Sequence, residues 1–315
     1  MPEAIIEFSK AQKNYSNKHI GPIDLVVNRG EITGFLGPNG SGKTTCIRLI
    51  LGLIRASSGE VKLNGNDPIS KHTFALKDVG YSPELPNLQP FFTPRELLTL
   101  LGRAVNLSSP LISKEITRVL ELVGLAEYVD VKIGKLSKGM VQRLSIAQSM
   151  MGSPRLLILD EPMIGLDPAG TAHLRETFRN FAKADGGTVF LSSHQMSEVE
   201  NLCDRIVMIH SGKIIASGMI KDVTRKLLGY SSITFEAEHV SEECLKKIRS
   251  LSGVGKVVGP EGRVFHVEIM DGSEEELRPK ISEIIVDSNA KLYAITPTHD
   301  LLERAYIHAI SESSK

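Results

Sequence analysis

The sequence predicts an α/β protein with a parallel β-sheet, followed by a smaller α+β unit. A strand at residues 31–36 leads through a glycine-rich loop into a helix at residues 43–53, which makes one βα unit. Strands and helices then alternate from residue 156 to residue 216, as is typical of a parallel sheet with helices on both faces. After Gly218 the predicted order is β, α, β, β, α, β, which is the order of a ferredoxin-like unit.

Between the glycine-rich loop and residue 156 the pattern becomes helical. Thr93 can cap a helix, Pro94 suits a first turn, and Glu96 completes a capping box. A second helix is predicted to start near Ser113, with its apolar residues on one face. We therefore expect a helical subdomain at about residues 85–152.

Length and composition indicate two domains. A chain of 315 residues with 41% hydrophobic residues can build more than one core, and we expect domains at residues 1–218 and 219–315. The second would be an accessory or regulatory domain. Basic and acidic side chains balance at 37 each, so the chain lacks the general attraction for polyphosphate that basic proteins show, and no nucleic acid partner is expected.

Several features predict a protein of the cytoplasm. The cysteines Cys46, Cys203 and Cys244 have neither CxxC nor metal-ligand spacing, so a disulfide framework or zinc site is not expected. Residues 1–8 carry acids and lack the basic start of a signal peptide. The most apolar helical stretch, residues 46–54, contains Arg48 and is too short to span a bilayer. If the protein works at a membrane, we expect another chain to cross it.

The glycine-rich loop matches the P-loop pattern, in which backbone N–H groups wrap around phosphates. Lys43 supplies positive charge, and the Thr44 hydroxyl can ligate Mg²⁺. The start of the following helix adds its partial positive charge to the anion site. The predicted nucleotide-binding residues here are Gly37, Pro38, Asn39, Gly40, Ser41, Gly42, Lys43, Thr44 and the adjacent Thr45.

Two carboxylates follow the apolar run at residues 156–159. Such a run predicts a buried strand, and ligands of α/β proteins bind at the carboxyl ends of these strands. Asp160 is the candidate Mg²⁺ ligand, either directly or in the second shell. Glu161 is the candidate base that orients and polarises an attacking water molecule.

The order of these motifs resembles that of the ATP-binding subunits of ABC transporters. The resemblance covers about residues 4–218 and includes three further segments: residues 136–140, residues 165–168 and His194. Residues 136–140 resemble the family's signature motif, although Lys138 and Met140 depart from its common LSGGQ form. The resemblance implies a P-loop NTPase of ABC type, with a RecA-like core and with antiparallel β and helical subdomains.

The resemblance also implies roles for residues outside the two main motifs. It implies that Tyr15 stacks on adenine and that His194 touches the γ-phosphate. Glu84 stands where the family usually has a glutamine near the metal, and Asp167 is the equivalent of the family's D-loop acid. Ser137 and Gly139 retain the hydroxyl and the open backbone that a phosphate contact needs, and they would contact an ATP bound mainly by a second copy.

We therefore expect an ATPase subunit that uses ATP and Mg²⁺ and pairs head to tail with a second copy. An integral-membrane permease would be its partner, and the subunit would lie peripherally on the cytoplasmic face of the membrane. The pair Pro83 and Glu84, together with the added C-terminal unit, resembles subunits of ABC-2 type exporters. One alternative is an ABC-type ATPase that acts on ribosomes or DNA without a transport partner. A small-molecule kinase would leave Ser137 and His194 unexplained.

Overall fold

The computed structural model describes residues 3–183, 186–270, 274–298 and 301–313. The chain forms two compact units, Met1–Ser217 and Gly218–Lys315. The predicted fold class is confirmed, because the first unit combines a mainly parallel sheet with helices and the second is a small α+β unit. Within those four ranges, no helix has both the length and the apolar character that crossing a membrane requires.

A six-stranded sheet forms the centre of the first unit. Its strands are, in spatial order, β5 (Val79–Ser82), β6 (Leu156–Asp160), β7 (Thr188–Ser193), β3 (Ile32–Leu36), β8 (Arg205–His210) and β9 (Lys213–Met219). Every residue of β3, β6 and β7 is buried, as expected of strands covered on both faces. Leu36 pairs with Ser193 and Asp160 pairs with Ser192, so these three strands end at one edge of the sheet. The segments that follow β3, β6 and β7 are therefore brought together at this edge.

An antiparallel sheet accompanies the central one, in the order β2 (His19–Asn28), β1 (Ala4–Asn14) and β4 (Ser58–Leu63). Its apolar side chains share one core cluster with Phe35 of β3 and with α1 (Lys43–Ile50). The sequence pattern predicts shorter strands here, at residues 4–9 and 23–28, and it does not predict β4. It also extended α1 to residue 53, whereas the helix ends at Ile50.

The helical subdomain contains α3 (Pro94–Ala104), α4 (Ser109–Leu122) and α5 (Lys138–Ser149). The predicted capping box is confirmed: Glu96 N–H donates to Thr93 Oγ1, and Thr93 N–H donates to a Glu96 carboxylate oxygen. The predicted start of α4 near Ser113 is wrong, because the helix begins at Ser109 with a proline in its first turn. Short 3₁₀ turns at Ala126–Tyr128 and Ile133–Lys135 precede α5.

The described residues of the first unit also form three further helices. They are α2 (His72–Ala75), α6 (Pro168–Lys183) and α7 (Met196–Leu202). The last two follow the strands that bear the candidate site residues, so they fix the paths of the loops that leave the sheet edge.

The second unit has its own four-stranded sheet, in the order β11 (Val254–Glu261), β12 (Val264–Ile269), β10 (Ser231–Glu238) and β13 (Lys291–Pro297). The three strand pairs are antiparallel, which is the ferredoxin-like arrangement that the sequence predicted. Helices α9 (Glu242–Arg249) and α10 (Glu274–Asp287) contribute to its core. Two more helices, α8 (Ile220–Leu228) and α11 (Leu301–Ser313), pack against each other and were not predicted.

Candidate active site

The P-loop leaves β3 and enters α1 along a path that requires glycine. Gly42 has φ 118° and Gly40 has φ 80°, both in the region that side chains disfavour. A Cβ atom on Gly37 would lie only 2.4 Å from the Ile209 carbonyl oxygen. Gly42 is the N-cap of α1. The N–H groups of the first turn of α1, which have no acceptor within the helix, therefore lie where the loop ends. The loop can therefore cradle an anion with its backbone.

Lys43 places a buried ammonium group in this loop, with 5% of its side chain exposed. Its Nζ lies 2.6 Å from the Gly37 carbonyl oxygen and 3.1 Å from Glu161 Oε1. The Lys43 ammonium thus links Gly37, which follows β3, to Glu161, which follows β6. A buried charge of this kind needs such partners, since desolvation would otherwise disfavour it.

Glu161 also contacts the residue that follows β7. Its Oε2 lies 2.8 Å from His194 Nδ1, and its backbone has a positive φ of 50°. The side chain of Glu161 is 7% exposed, whereas that of His194 is 35% exposed. The carboxylate therefore stands between a buried cation and a histidine that faces solvent.

Ser192 holds the two acids in place, and the sequence prediction did not include it. Its Oγ accepts the Glu161 N–H at 2.9 Å and donates to Asp160 Oδ1 at 2.6 Å. Burial raises the pKa of the Asp160 carboxyl, and hydrogen bonds from Ser192 and Thr44 oppose that rise. The only sequence signal for Ser192 was its position near the end of a strand that leads to His194.

Among the described residues at this edge, two buried oxygens have neither a hydrogen-bond partner nor an ion-pair partner. They are Asp160 Oδ2 and Ser41 Oγ. Buried polar atoms are normally satisfied, so each fits a ligand: a metal ion at Asp160 and a phosphate oxygen at Ser41. In the described part of the chain, no group of three or more His, Cys, Asp or Glu residues could hold a metal by itself. The donor set suits Mg²⁺, which is usually held by one or two carboxylates together with substrate phosphates.

The remaining candidate residues lie outside this cluster. Tyr15 is 42% exposed, in the turn between β1 and β2. Glu84 follows β5, which neighbours β6, so it lies at the same edge of the sheet. Its charge, after burial and the charge of Asp160, contributes to raising the pKa of the Tyr81 hydroxyl.

Ser137, Gly139 and Asp167 lie at or next to the starts of α5 and α6. Ser137 is exposed, and its Oγ accepts the Met140 N–H at 3.2 Å, which caps α5. A Cβ atom on Gly139 would lie 3.0 Å from the Gly165 carbonyl oxygen, so the start of α5 lies against the segment that contains Asp167. Asp167 Oδ1 accepts the Gly170 N–H at 3.0 Å and caps the start of α6.

Comparisons with known proteins agree on one family. A family model described as ABC transporter matches residues 20–164. The linearmycin resistance ATP-binding protein LnrL of Bacillus subtilis is 34% identical over 310 residues, which are 96% of this chain and 97% of that protein. The Nod factor export ATP-binding protein I of Burkholderia lata is 38% identical over 219 residues, which are 69% of this chain and 72% of that protein. A solved structure described as the ATP-binding subunit of an ABC transporter is 31% identical, with a TM-score of 0.65, and the match covers 70% of this chain and 92% of that one.

Proposed function

The chain belongs to the ATP-binding subunits of ABC transporters, as its motifs indicated, and from this we propose that it hydrolyses ATP to drive a membrane permease. The observation that carries the proposal is the cluster of Lys43, Glu161 and His194 at one edge of the sheet. Phosphate-binding and water-activating groups meet there. The name of one relative, for Nod factor export, supports export as the direction of transport.

Each residue of the cluster has a role in hydrolysis. The P-loop N–H groups, the Ser41 hydroxyl and the Lys43 ammonium would hold the phosphates of ATP. Glu161 would accept a hydrogen bond from the attacking water, and His194 would keep that carboxylate oriented and reach the terminal phosphate. Thr44, Asp160 and Glu84 would hold Mg²⁺, which when bound offsets the negative charge that develops on the phosphates.

The substitution Glu161→Gln tests the site directly. It keeps the shape of the side chain but removes the base, so ATP should still bind while phosphate release falls by about 100-fold or more. Glu60→Gln, on an exposed residue of β4, is the matched control and should behave as the wild type. Lys43→Ala should lose ATP affinity or turnover. Near-normal turnover of Glu161→Gln would remove Glu161 from its role, and normal turnover of Lys43→Ala would refute the site.

We propose that two copies pair head to tail, with the Ser137 end of α5 completing the ATP site of the other copy. The exposure of Ser137 supports this, because a group that serves a second copy must lie at the surface. Light scattering should detect an ATP-held dimer of Glu161→Gln. ADP should not support it, since the contacts to the γ-phosphate are then missing.

The permease is proposed to dock on the apolar segment after β5. Leu85 is 79% exposed and Phe91 is 61% exposed, next to Leu88 and Phe92. Such exposed side chains are typical of an interaction site. We place the subunit on the cytoplasmic face of the membrane through this contact, and we propose that residues 219–315 form an accessory or regulatory unit.

Charged substitutions test the docking segment. Phe91→Glu should abolish co-purification with a polytopic membrane protein while leaving the ATPase activity of the isolated subunit within about twofold, because burying a charge in an apolar contact is costly. Phe74→Glu is the matched control, since Phe74 is 69% exposed on α2. Retention of Phe91→Glu at the membrane would contradict the docking site. Co-sedimentation with ribosomes instead of membranes would favour the ATPase that lacks a transport partner.

A further inference from the structure

The turn between β1 and β2 is tied to the P-loop by a lysine that no motif includes. Tyr15 N–H donates to the Lys18 carbonyl oxygen at 2.8 Å, which closes the turn. The Lys18 ammonium then donates to the Gly40 carbonyl oxygen at 2.6 Å. Lys18 is half-buried although it lies in a short surface turn. The side chain therefore joins the turn that carries Tyr15 to the loop that would carry the phosphates.

We propose that Lys18 is a nucleotide-positioning residue, which fixes the P-loop relative to the Tyr15 turn and adds positive charge beside the phosphates. The inference rests on the proposed ATP site. Its ligand class is the nucleoside di- or triphosphate, because the contact is made at Gly40 and does not involve the Glu161 and His194 pair. Lys18 should therefore act on ATP and ADP alike.

Backbone contacts show that β2, which begins just after this lysine, is held to the P-loop through Gly212. Gly21 N–H donates to the Gly212 carbonyl oxygen at 2.7 Å, and Gly212 N–H donates to the Ser41 carbonyl oxygen at 2.9 Å. A Cβ atom on Gly42 would lie 3.1 Å from Ile20 Cδ1, so β2 also packs directly on the loop. The Lys18 bond is thus part of a fixed junction, and its charge has a defined position.

The other end of the turn presents Tyr15 in a defined orientation. The Lys13 ammonium lies 5.6 Å from the centre of the Tyr15 ring, over one face. A base that stacks on Tyr15 would use the opposite face. Lys18 would then set the spacing between the base platform and the phosphate loop, which is a contribution to ground-state binding rather than to the chemical step.

The test compares Lys18→Met and Lys18→Arg with the wild type in the full chain. The dissociation constant for ribose-labelled fluorescent ADP and the kcat and KM for ATP are measured. Lys18→Met should weaken ADP binding about tenfold or more and raise KM, as expected for loss of a charge-assisted hydrogen bond. Its kcat should stay within about twofold. Lys18→Arg should stay within about threefold of the wild type in ADP affinity.

Lys62→Met, on an exposed residue of β4, is the control for loss of a surface cation. Unchanged ADP affinity of a folded Lys18→Met would overturn the inference. An equal loss in Lys18→Arg would overturn it as well, because the positive charge would then be irrelevant. Failure of the wild type to bind ATP or ADP would instead refute the proposed function. Equal thermal unfolding midpoints of the variants would show that a lost affinity is not a loss of fold.

Discussion

At the scale of single residues, Ser192 decides how the two acids of the site are oriented. Ser192→Ala would leave the Glu161 N–H and Asp160 Oδ1 without this buried partner. We expect the free energy of unfolding to fall by roughly 1–3 kcal/mol, which is the cost of an unsatisfied buried group. ATPase activity should fall at least about tenfold, since the Glu161 carboxylate would lose its fixed position. Urea unfolding and phosphate release measure the two effects.

Thr33→Ala is the control for Ser192→Ala. Thr33 is buried in β3, and its hydroxyl has no hydrogen-bond partner, so its removal leaves no new unsatisfied group. It should leave ATPase activity nearly unchanged, and the free energy of unfolding should fall by only about 1 kcal/mol for the lost buried methyl group. Wild-type activity of Ser192→Ala would show that Glu161 is oriented by Lys43 and His194 alone.

Site residues that belong to a local sequence motif could be predicted from the sequence. Residues that reach the site through contacts between distant segments could not. Lys43, Asp160 and Glu161 were chosen because glycine spacing or an apolar strand marks them. Ser192 contacts Asp160 across a separation of 32 residues, and Lys18 contacts Gly40 across 22. No local pattern records such contacts, because they arise only when β6 pairs with β7 and when β2 packs on the P-loop.

At the scale of elements, a partly buried ion pair within α4 is hydrogen-bonded to the segment that follows α5. Glu115 accepts from Arg118 Nε and Nη2 at 2.8 Å each and from Gly152 N–H at 3.0 Å. The Arg118 guanidinium holds the pKa of the Glu115 carboxyl below its ordinary value of 4.5. A lowered pKa contributes stability above that value, and the contribution is lost as the pH falls through the folded-state pKa.

Glu115→Gln should therefore lower the free energy of unfolding by roughly 1–2 kcal/mol at pH 7, because a charged acceptor becomes neutral. The difference from the wild type should shrink as the pH falls below about 4.5. Glu121→Gln, an exposed residue on the same helix, should show neither effect. Urea unfolding between pH 3 and pH 8 measures both variants. A deficit of Glu115→Gln that persists unchanged at pH 3 would assign its cause to packing and not to charge.

The same distinction between local and distant signals explains which helices were predicted. All signals for the start of α3 lie within residues 93–96, and the capping box was found. Helices α8 and α11 pack mainly against each other, although α8 comes at the start and α11 at the end of the sequence of the second unit. The sequence of α11 gives no local signal for a packed helix, because its residues Leu302, Ala305 and Ala309 are buried only through packing against a distant segment, α8.

At the scale of the whole molecule, each unit has a hydrophobic core of its own. One cluster joins the antiparallel sheet, α1 and the central sheet, and the other joins β10, β12, α9 and α10. Among the described residues, none belongs to both of these clusters. Separate cores are the usual basis for domains that unfold as separate units. A ligand that binds the P-loop should then stabilise only the first unit.

Phe235→Ala tests this separation. Phe235 is fully buried in the second core and stacks on Phe265 with ring centres 4.8 Å apart, so the variant should destabilise that unit by about 3–5 kcal/mol. Calorimetry with and without ATP should show the transition of the second unit moving to lower temperature, while the transition that ATP shifts stays in place. Phe178→Ala, equally buried in α6, should do the reverse. A single transition that both substitutions lower, and that ATP raises as a whole, would mean that the two cores unfold as one and that the second unit senses nucleotide through stability.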